Sequence, residues 1–280
     1  MADAVLHALP AAQRDRVEAR AAPGAVTMAD SPVRAASRTT SIRAAAGVHA
    51  AGEAHAVVSA GSSGATVTAA VLELGRAQGV RTPPLAVWIP TLRPGHEVLL
   101  LDVGGSVESS AAVLLSHAAL GAEYWRRFTG GARPRIGLLS VGREPGKGDR
   151  LRRAAEQALR AVGGSGGIPA EFVGLVEGDD VCVGARADVV VTDGFTGNVL
   201  LKGIEGAYRL ATAGLREQPR EISGMARAAA LLGVPGVVVV CHGAADAADV
   251  ASGVAFAARL ARLGPAGGHS AGRTAQEGNR

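Results

Sequence analysis

Four short segments of the chain combine glycine with hydroxyl, amide, carboxylate or ammonium groups, which are the groups that bind anions in proteins. They are Ser59–Gly64, Asp102–Ser106, Gly142–Asp149 and Asp193–Asn198. Because glycine has no side chain, backbone N–H groups in such loops can approach a phosphate closely, and a helix that begins there adds a favourable partial charge. Together the four segments indicate a small phosphate-type ligand.

Lys147 lies within the third segment and is one of two lysines in a chain that otherwise uses arginine for positive charge. Its ammonium is a compact donor of three hydrogen bonds, so we expect it to bind phosphate beside a helix N-terminus. The segment is not a Walker A loop, because three residues rather than four separate Gly142 from Gly146, and Gly148 follows the lysine. No dinucleotide fingerprint follows a predicted strand. The second lysine, Lys202, is expected to be a solvated surface residue.

Each segment also has a purely structural interpretation. The turn at Ser62–Gly64 could be an ordinary tight turn with a serine cap. In the fourth segment, Thr196 or Asn198 could simply cap the following helix. His242, which follows the last predicted strand, is more often a packing or capping residue than a catalyst at such a position.

The elements that must position these segments alternate between short apolar runs and longer runs with helical periodicity, which is typical of βα repeats. The predicted strands are His55–Ala60, Leu85–Pro90, Val98–Val103, Arg135–Val141, Glu171–Val176, Asp188–Thr192 and Val237–Cys241. The predicted helices are Asp30 or Ser31 to Ala51, Ala65–Arg76, Ser109–Phe128, Asp149–Val162, Asn198–Arg216 and Asp246–Leu263. The strands are rich in valine without alternation, so we expect a parallel sheet buried on both faces, with the anion-binding loops at one edge.

Composition narrows the class of protein. With 280 residues, of which 48% are hydrophobic and 19% charged, the chain can bury a substantial core. Two cysteines, Cys182 and Cys241, exclude a disulfide framework, and no spacing of Cys and His indicates a metal site. The net charge of +4 comes without a basic run interleaved with aromatic residues, so we expect no nucleic acid partner. Without a signal peptide or an apolar run of about 18 residues, we expect a cytoplasmic protein.

The same segments resemble those of the phosphate acyltransferases of bacterial phospholipid synthesis, the PlsX type. The resemblance runs from about Val26 to Gly264 and is carried by ordered blocks. These are Val26–Pro32, Val57–Ala65, Leu101–Gly104, Gly142–Gly148, Val176–Gly178, Asp193–Val199 and Cys241–Gly243. It implies an α/β fold, a three-layer α/β/α sandwich with a mostly parallel sheet of the isocitrate dehydrogenase type. It also implies transfer of a fatty acyl group from acyl carrier protein to inorganic phosphate, which gives an acyl phosphate.

The resemblance implies a single α/β domain over residues 26–264, after a poorly defined segment, residues 1–25, and before a flexible tail, residues 265–280. Family members usually begin with a further strand and a loop reading Asp-Ala-Met-Gly-Gly-Asp, and we expect both to be missing here. They also carry a long helical hairpin, used in dimerisation and membrane contact, where this chain has a shorter stretch between Glu205 and Leu232. We therefore expect at most weak membrane association, and a homodimer is possible.

The segments and the resemblance together predict how phosphate is bound. Backbone N–H groups of the Gly61–Gly64 and Asp193–Asn198 turns and the ammonium of Lys147 would hold it. The remaining predicted binding residues in these loops are Ser62, Ser63, Gly64, Gly104, Gly148, Thr196 and Gly197. No metal ion or organic cofactor is required.

One phosphate oxygen would then attack the thioester carbonyl. Asn198 or Ser63 would stabilise the tetrahedral oxyanion, and Asp193 or His242 would relay a proton. Two other functions fit the same sequence. One is a phosphate acetyl- or butyryltransferase that uses coenzyme A, and the other is a catalytically inactive homologue that binds acyl carrier protein or a sister subunit.

Overall fold

The structure is a computed structural model that describes residues 10–22, 24–26, 30, 40–131, 133–165, 167–213, 228–241 and 245–264. Within those residues the strands are β1 (Val57–Ser59), β2 (Leu85–Pro90), β3 (Glu97–Leu101), β4 (Arg135–Leu139), β5 (Glu171–Val176), β6 (Val189–Val191), β7 (Ala228–Leu231) and β8 (Val238–Cys241). The helices there are α1 (Ala11–Arg14), α2 (Ser41–Ala50), α3 (Ser63–Leu74), α4 (Ala111–Thr129), α5 (Arg150–Ser165), α6 (Gly178–Val183), α7 (Gly194–Ala213) and α8 (Ala247–Leu263).

The strands form one mixed sheet in the order β1-β8-β7-β2-β3-β6-β4-β5. Strands β3, β6, β4 and β5 run parallel to one another, and β1 runs parallel to β8. Between these two groups, the pairs β8/β7, β7/β2 and β2/β3 are all antiparallel. Because three successive pairs are antiparallel, the two groups of parallel strands run in opposite directions. The carboxyl ends of β3, β4, β5 and β6 therefore share one edge of the sheet, which we call the β3–β6 edge, and those of β1 and β8 lie at the opposite edge, the β1 edge.

The expectation that all the anion-binding loops lie at one edge is wrong for this reason. The loop after β1 leaves the sheet at the β1 edge, whereas the loops after β3, β4 and β6 leave at the β3–β6 edge. The seven predicted strands all occur, β2 and β5 with the expected bounds. The strand that sequence patterns missed, β7, reads Ala-Ala-Ala-Leu and lacks the branched and aromatic residues by which strands are recognised.

Helices cover both faces of the sheet, which confirms the three-layer α/β/α architecture. In β3, Leu99 and Leu101 face the layer of α4, α5 and α8, while Val98 and Leu100 face the layer of α2, α3, α6 and α7. All four side chains are fully buried. The continuous apolar runs are thus explained by burial on both faces, and this part of the prediction is confirmed.

Helix α2 lies within the helix predicted from Asp30 or Ser31 to Ala51. Thr40 has an extended backbone, with φ −102° and ψ 147°, and its hydroxyl accepts a hydrogen bond from the amide of Arg43, so it caps a helix that begins at Ser41. The start predicted at Asp30 or Ser31 stays a prediction, because residues 31–39 lie outside the described residues. Among the described residues, no helix has the length and apolar character needed to cross a membrane. The expected tail, residues 265–280, lies outside them.

Candidate functional site

Asp102 follows β3 directly and organises the loop at this end of the strand. Its side chain is fully buried, and its two oxygens accept five hydrogen bonds of 2.7 to 3.1 Å. The donors are the amides of Leu85, Gly104, Gly105 and Ser106 and the hydroxyl of Ser106. Because a buried carboxylate is costly unless it is hydrogen-bonded, these donors hold the loop around it in one conformation.

Helix α7 packs its first turn directly on the backbone of this loop. A Cβ atom at Gly194 would lie 1.9 Å from the carbonyl oxygen of Ser106, and one at Gly197 would lie 1.9 Å from that of Asp102. No other residue fits at either position without displacing the helix. Gly194 and Gly197 lie in the segment that sequence analysis assigned to phosphate binding. The packing of α7 on the loop already requires glycine at both positions.

Asn198 links the same helix to the same loop. Its side-chain amide donates a hydrogen bond of 3.0 Å to the carbonyl oxygen of Val103. The amide nitrogen also lies 3.1 Å from the position that a Cβ atom would take at Gly104, where φ is +123°. This contact gives Asn198 a structural role, and its expected role as an oxyanion donor stays a prediction.

Asp193 caps helix α7. One oxygen of its carboxylate accepts a 2.9 Å hydrogen bond from the amide of Thr196, and its backbone carbonyl accepts one from the amide of Gly197. The expectation that Thr196 or Asn198 would be the cap is therefore wrong. A carboxylate at this position also interacts favourably with the positive end of the helix dipole.

Arg152, in the first turn of α5, reaches the same carboxylate from the other face of the sheet. Its guanidinium forms a salt bridge with Asp193, and the same nitrogen lies 3.2 Å from the hydroxyl of Thr192 and 3.0 Å from that of Thr196. A second nitrogen lies 2.9 Å from Asp149. The side chain is buried, and it joins two helices that cover opposite faces of the sheet. Sequence analysis missed Arg152. The residue could have been found because it is a cation in the first turn of the helix that follows the third segment.

The surroundings of Asp193 keep its carboxyl group ionised. Burial alone raises the pKa of Asp193. The hydrogen bonds from the amide and hydroxyl of Thr196 and the charge of Arg152 together outweigh burial, so the pKa lies below its usual range. The group is a carboxylate at neutral pH and a weak base.

The loop between β4 and α5 holds Gly148 in a tight contact. Gly148 has φ +93°, and a Cβ atom there would lie 2.7 Å from the hydroxyl oxygen of Ser140 and 2.8 Å from Cβ of Arg152. The Ser140 hydroxyl is buried and has no hydrogen-bond partner among the described residues. At the centre of the loop, the amide of Gly146 donates to the buried carboxylate of Glu156 on α5, which fixes the loop to the helix.

The side chain of Lys147 projects from this loop. Its aliphatic stem passes over Gly142, with Cγ 3.3 Å from the position of a Cβ atom there, and its side chain is exposed. Lys202 instead forms a 3.0 Å salt bridge with Glu205. Within the part of the chain that the structure describes, the ammonium of Lys147 has no ion-pair partner, so its charge is available to a ligand at the β3–β6 edge.

The Ser62–Gly64 turn does not join this group. It begins α3 at the β1 edge, where the Ser62 hydroxyl accepts a 3.4 Å hydrogen bond from the amide of Ala65 and caps the helix. Ser63 and Gly64 form the first turn of α3, so the three residues serve the structural role named above. His242 lies outside the described residues.

The β3–β6 edge thus gathers most of the predicted site residues. They are Gly104, Lys147, Gly148, Asp193, Thr196, Gly197 and Asn198. With Arg152, they surround the N-terminus of α7 with cationic and hydrogen-bonding groups, an arrangement suited to a small anion. In the described part of the chain, no group of three or more His, Cys, Asp or Glu side chains could hold a metal ion.

Comparison with known proteins gives consistent matches. The family model described as fatty acid synthesis protein matches residues 2–229, which begins and ends earlier than the region expected from the motifs. A phosphate acyltransferase from Cereibacter sphaeroides is 37% identical, over 90% of this chain and 74% of that protein. A phosphate acyltransferase from Synechococcus elongatus is also 37% identical, over 88% of this chain and 76% of that protein.

Solved structures show the same fold at lower identity. The EutD phosphotransacetylase from Staphylococcus aureus has a TM-score of 0.56 and 18% identity, and the match covers 78% of this chain and 67% of that one. A branched-chain phosphotransacylase from Enterococcus faecalis has a TM-score of 0.54 and 15% identity, with 79% and 78% covered. These likenesses establish the α/β fold.

We predict that Asp193→Asn lowers the free energy of unfolding by about 3 kcal/mol at pH 7, because it leaves Arg152 buried without its carboxylate. The pKa of Asp193 is lower in the folded chain than its ordinary value of about 3.9, so its ionised form stabilises the fold above that pH. The difference between variant and wild type should therefore shrink as the pH falls through the folded-state pKa. Urea unfolding at pH 7 and at about pH 3 measures it.

Asp149→Asn is the matched control for this experiment. Asp149 also pairs with Arg152, but its side chain is 58% exposed, so its replacement should cost less than about 1 kcal/mol. A loss for Asp193→Asn that is equal at both pH values would contradict the assignment to the ionised carboxylate.

We also predict that Gly197→Ala destabilises the protein by about 2 kcal/mol or more, although alanine favours a helix. The added methyl group would meet the carbonyl oxygen of Asp102 at 1.9 Å, so α7 must shift. Gly206→Ala in the same helix is the control, because no atom of the described residues outside the helix lies within 4 Å of its Cβ position and the change should stabilise by up to about 1 kcal/mol. Thermal or urea unfolding of both variants tests the pair, and equal effects would contradict the packing argument.

Proposed function

The chain belongs to the fatty acid synthesis protein family, whose matched relatives are phosphate acyltransferases, and on that premise we propose that it transfers a fatty acyl group from acyl carrier protein to inorganic phosphate. Acyl transfer to phosphate follows from the family. The carrier protein as donor and the acyl phosphate as product are the proposal. The observation that supports it most is the convergence of the α7 N-terminus, Lys147 and Arg152 at the β3–β6 edge.

Phosphate would bind at the N-terminus of α7. A helix leaves its first N–H groups without intrahelical acceptors, and Asp193 takes that of Thr196. The preceding amides of this turn and the ammonium of Lys147 would then hold the phosphate oxygens. Arg152 neutralises Asp193, so the carboxylate does not repel the anion from the turn.

The reaction joins one phosphate oxygen to the thioester carbonyl carbon and then breaks the carbon–sulfur bond, which releases the carrier as a thiolate. Inorganic phosphate is already partly dianionic at neutral pH, so a strong protein base is not needed. Asp193, a weak base held by two partners, would position the turn in this proposal. Proton relay by Asp193 or His242 stays a prediction. Ser63 begins α3 at the β1 edge, so the expectation that it stabilises the oxyanion does not fit a phosphate at the N-terminus of α7.

The purified protein can be tested with acyl carrier protein loaded with a fatty acyl group and inorganic phosphate. Trapping the product with hydroxylamine reports acyl phosphate, and the matching acyl-coenzyme A is tested in parallel. Transfer from the carrier protein supports the proposal. Transfer only from coenzyme A would overturn the donor assignment, and transfer from neither donor would indicate an inactive homologue that binds the carrier.

We expect Lys147→Ala to raise the KM for phosphate by about tenfold, with a smaller change in KM for the acyl donor, because the ammonium contacts only the anion. Lys202→Ala is the matched control, since it removes the second lysine of the chain from a surface salt bridge with Glu205. Its KM for phosphate should change by less than about twofold. An unchanged phosphate KM in Lys147→Ala would remove this residue from the site.

We expect Asn198→Ala to lower kcat by about a hundredfold if the second hydrogen of its amide stabilises the oxyanion. Loss of the hydrogen bond to Val103 should separately cost about 1 kcal/mol of stability. The thermal midpoint and the turnover number are measured on the same preparation. A variant that loses stability and keeps its turnover would make Asn198 purely structural.

A further inference from the structure

Four large apolar side chains stand exposed at the β3–β6 edge, beside the candidate phosphate site. They are Val107, Val141, Phe195 and Val199, with 78%, 81%, 64% and 58% of their surface accessible. Single exposed apolar residues are common, but a group beside a polar site is unusual and marks a binding surface. We call these four residues the apolar rim.

Backbone contacts bring three members of the apolar rim together. The carbonyl oxygen of Ser106 packs against Gly194, so the residues that follow these two, Val107 and Phe195, lie on adjacent stretches of backbone. Val199 lies four residues after Phe195 in α7 and therefore on the same face of the helix. These three residues therefore lie on neighbouring stretches of backbone at the start of α7, and we call them the patch.

Val141 belongs to the neighbouring loop of the same edge. It follows Ser140 at the carboxyl end of β4, the strand that pairs with β6. The Ser140 hydroxyl lies against Gly148, whose other neighbour, Arg152, contacts Thr196 in the first turn of α7. Val141 therefore lies at the same edge, in the loop that packs beside Arg152.

Within the described residues, the exposed face of α7 continues away from the site past the side chain of Lys202. Gly203 and Gly206 follow Phe195 and Val199 on this face at helical spacing, and no described atom outside the helix lies within 4 Å of the position of a Cβ atom at either glycine. From Phe195 to Gly206 the helix spans about 17 Å. This face is a shallow track that begins at the phosphate site.

We propose that the apolar rim and the track over Gly203 and Gly206 bind the acyl chain of the thioester donor. The inference rests on the proposed function, since it assumes that phosphate lies at the N-terminus of α7. The donor carbonyl must come within reach of that phosphate to be attacked. The methylenes begin at the carbonyl, so the first of them must lie on the surface that adjoins the site, where the apolar rim is exposed.

This assignment predicts that the affinity of the donor depends on the length of its acyl chain. Each methylene removed from water on an apolar surface strengthens binding by about fourfold. The affinity of the donor should therefore rise with chain length in the wild-type protein. Side chains of the apolar rim should affect long donors more than short ones, because a butyryl chain covers little of their surface, and positions farther along α7 should affect only the longest.

The experiment uses the full chain with inorganic phosphate and a series of acyl carrier protein thioesters from butyryl to palmitoyl, or the same series on coenzyme A if only that carrier is used. Phe195→Ser should raise the KM for the palmitoyl donor by about tenfold and that for the butyryl donor by less than about twofold. Gly206→Glu should weaken the palmitoyl donor alone. The KM for phosphate should stay unchanged in both variants.

Leu92→Ser is the matched control. Leu92 is 80% exposed, but it follows β2 at the β1 edge, away from the phosphate site. It should leave the chain-length series unchanged.

Each outcome has one interpretation. Inactive wild-type protein would overturn the proposed function and with it the premise of this inference. Active wild-type protein with equal effects of Phe195→Ser on short and long donors would overturn the acyl-chain assignment alone. Sedimentation of the same variants gives a further check, because a changed oligomeric state with an unchanged chain-length series would identify the patch as an interface between copies of this chain.

Discussion

The buried carboxylate of Asp102 is the constraint on which the candidate site depends. An ionised group without hydrogen bonds would be too costly inside the protein, so the chain after β3 folds around it and satisfies it with amide and hydroxyl donors. This loop turns its carbonyl oxygens toward α7, and Gly194 and Gly197 allow the helix to meet them. The N-terminus of α7 is thereby fixed at the edge of the sheet.

The salt bridge between Arg152 and Asp193 fixes the position of two helices relative to each other. Buried ion pairs contribute little net stability, but losing one partner is costly, so such a pair favours one arrangement of the elements that carry it. Here those elements are α5 and α7, which cover opposite faces of the sheet. The guanidinium also bonds the hydroxyls of Thr192 and Thr196, so the first turn of α7 is held from both layers.

The mixed sheet gives this protein two chemically different edges. At the β3–β6 edge, loops from three neighbouring strands place cations, amides and exposed apolar side chains around one helix N-terminus. At the β1 edge, the glycine-rich turn after β1 ends in a helix capped by its own serine, Ser62. Acyl transfer to phosphate needs an anion site and an apolar surface side by side, and the first edge combines cationic groups with exposed apolar side chains.

The sequence by itself determined the βα alternation, the burial of strands such as β3 on both faces, and the loops at Asp102, Lys147 and Asp193, because apolar periodicity and glycine-rich turns are local properties. It did not determine which loops meet. The direction of β1 relative to β6 depends on three antiparallel pairings, and one of them uses an alanine-rich strand with no local signal. Nor could it pair Arg152 with Asp193, because residues on opposite faces of a sheet become neighbours only when the tertiary structure brings their helices to the same edge.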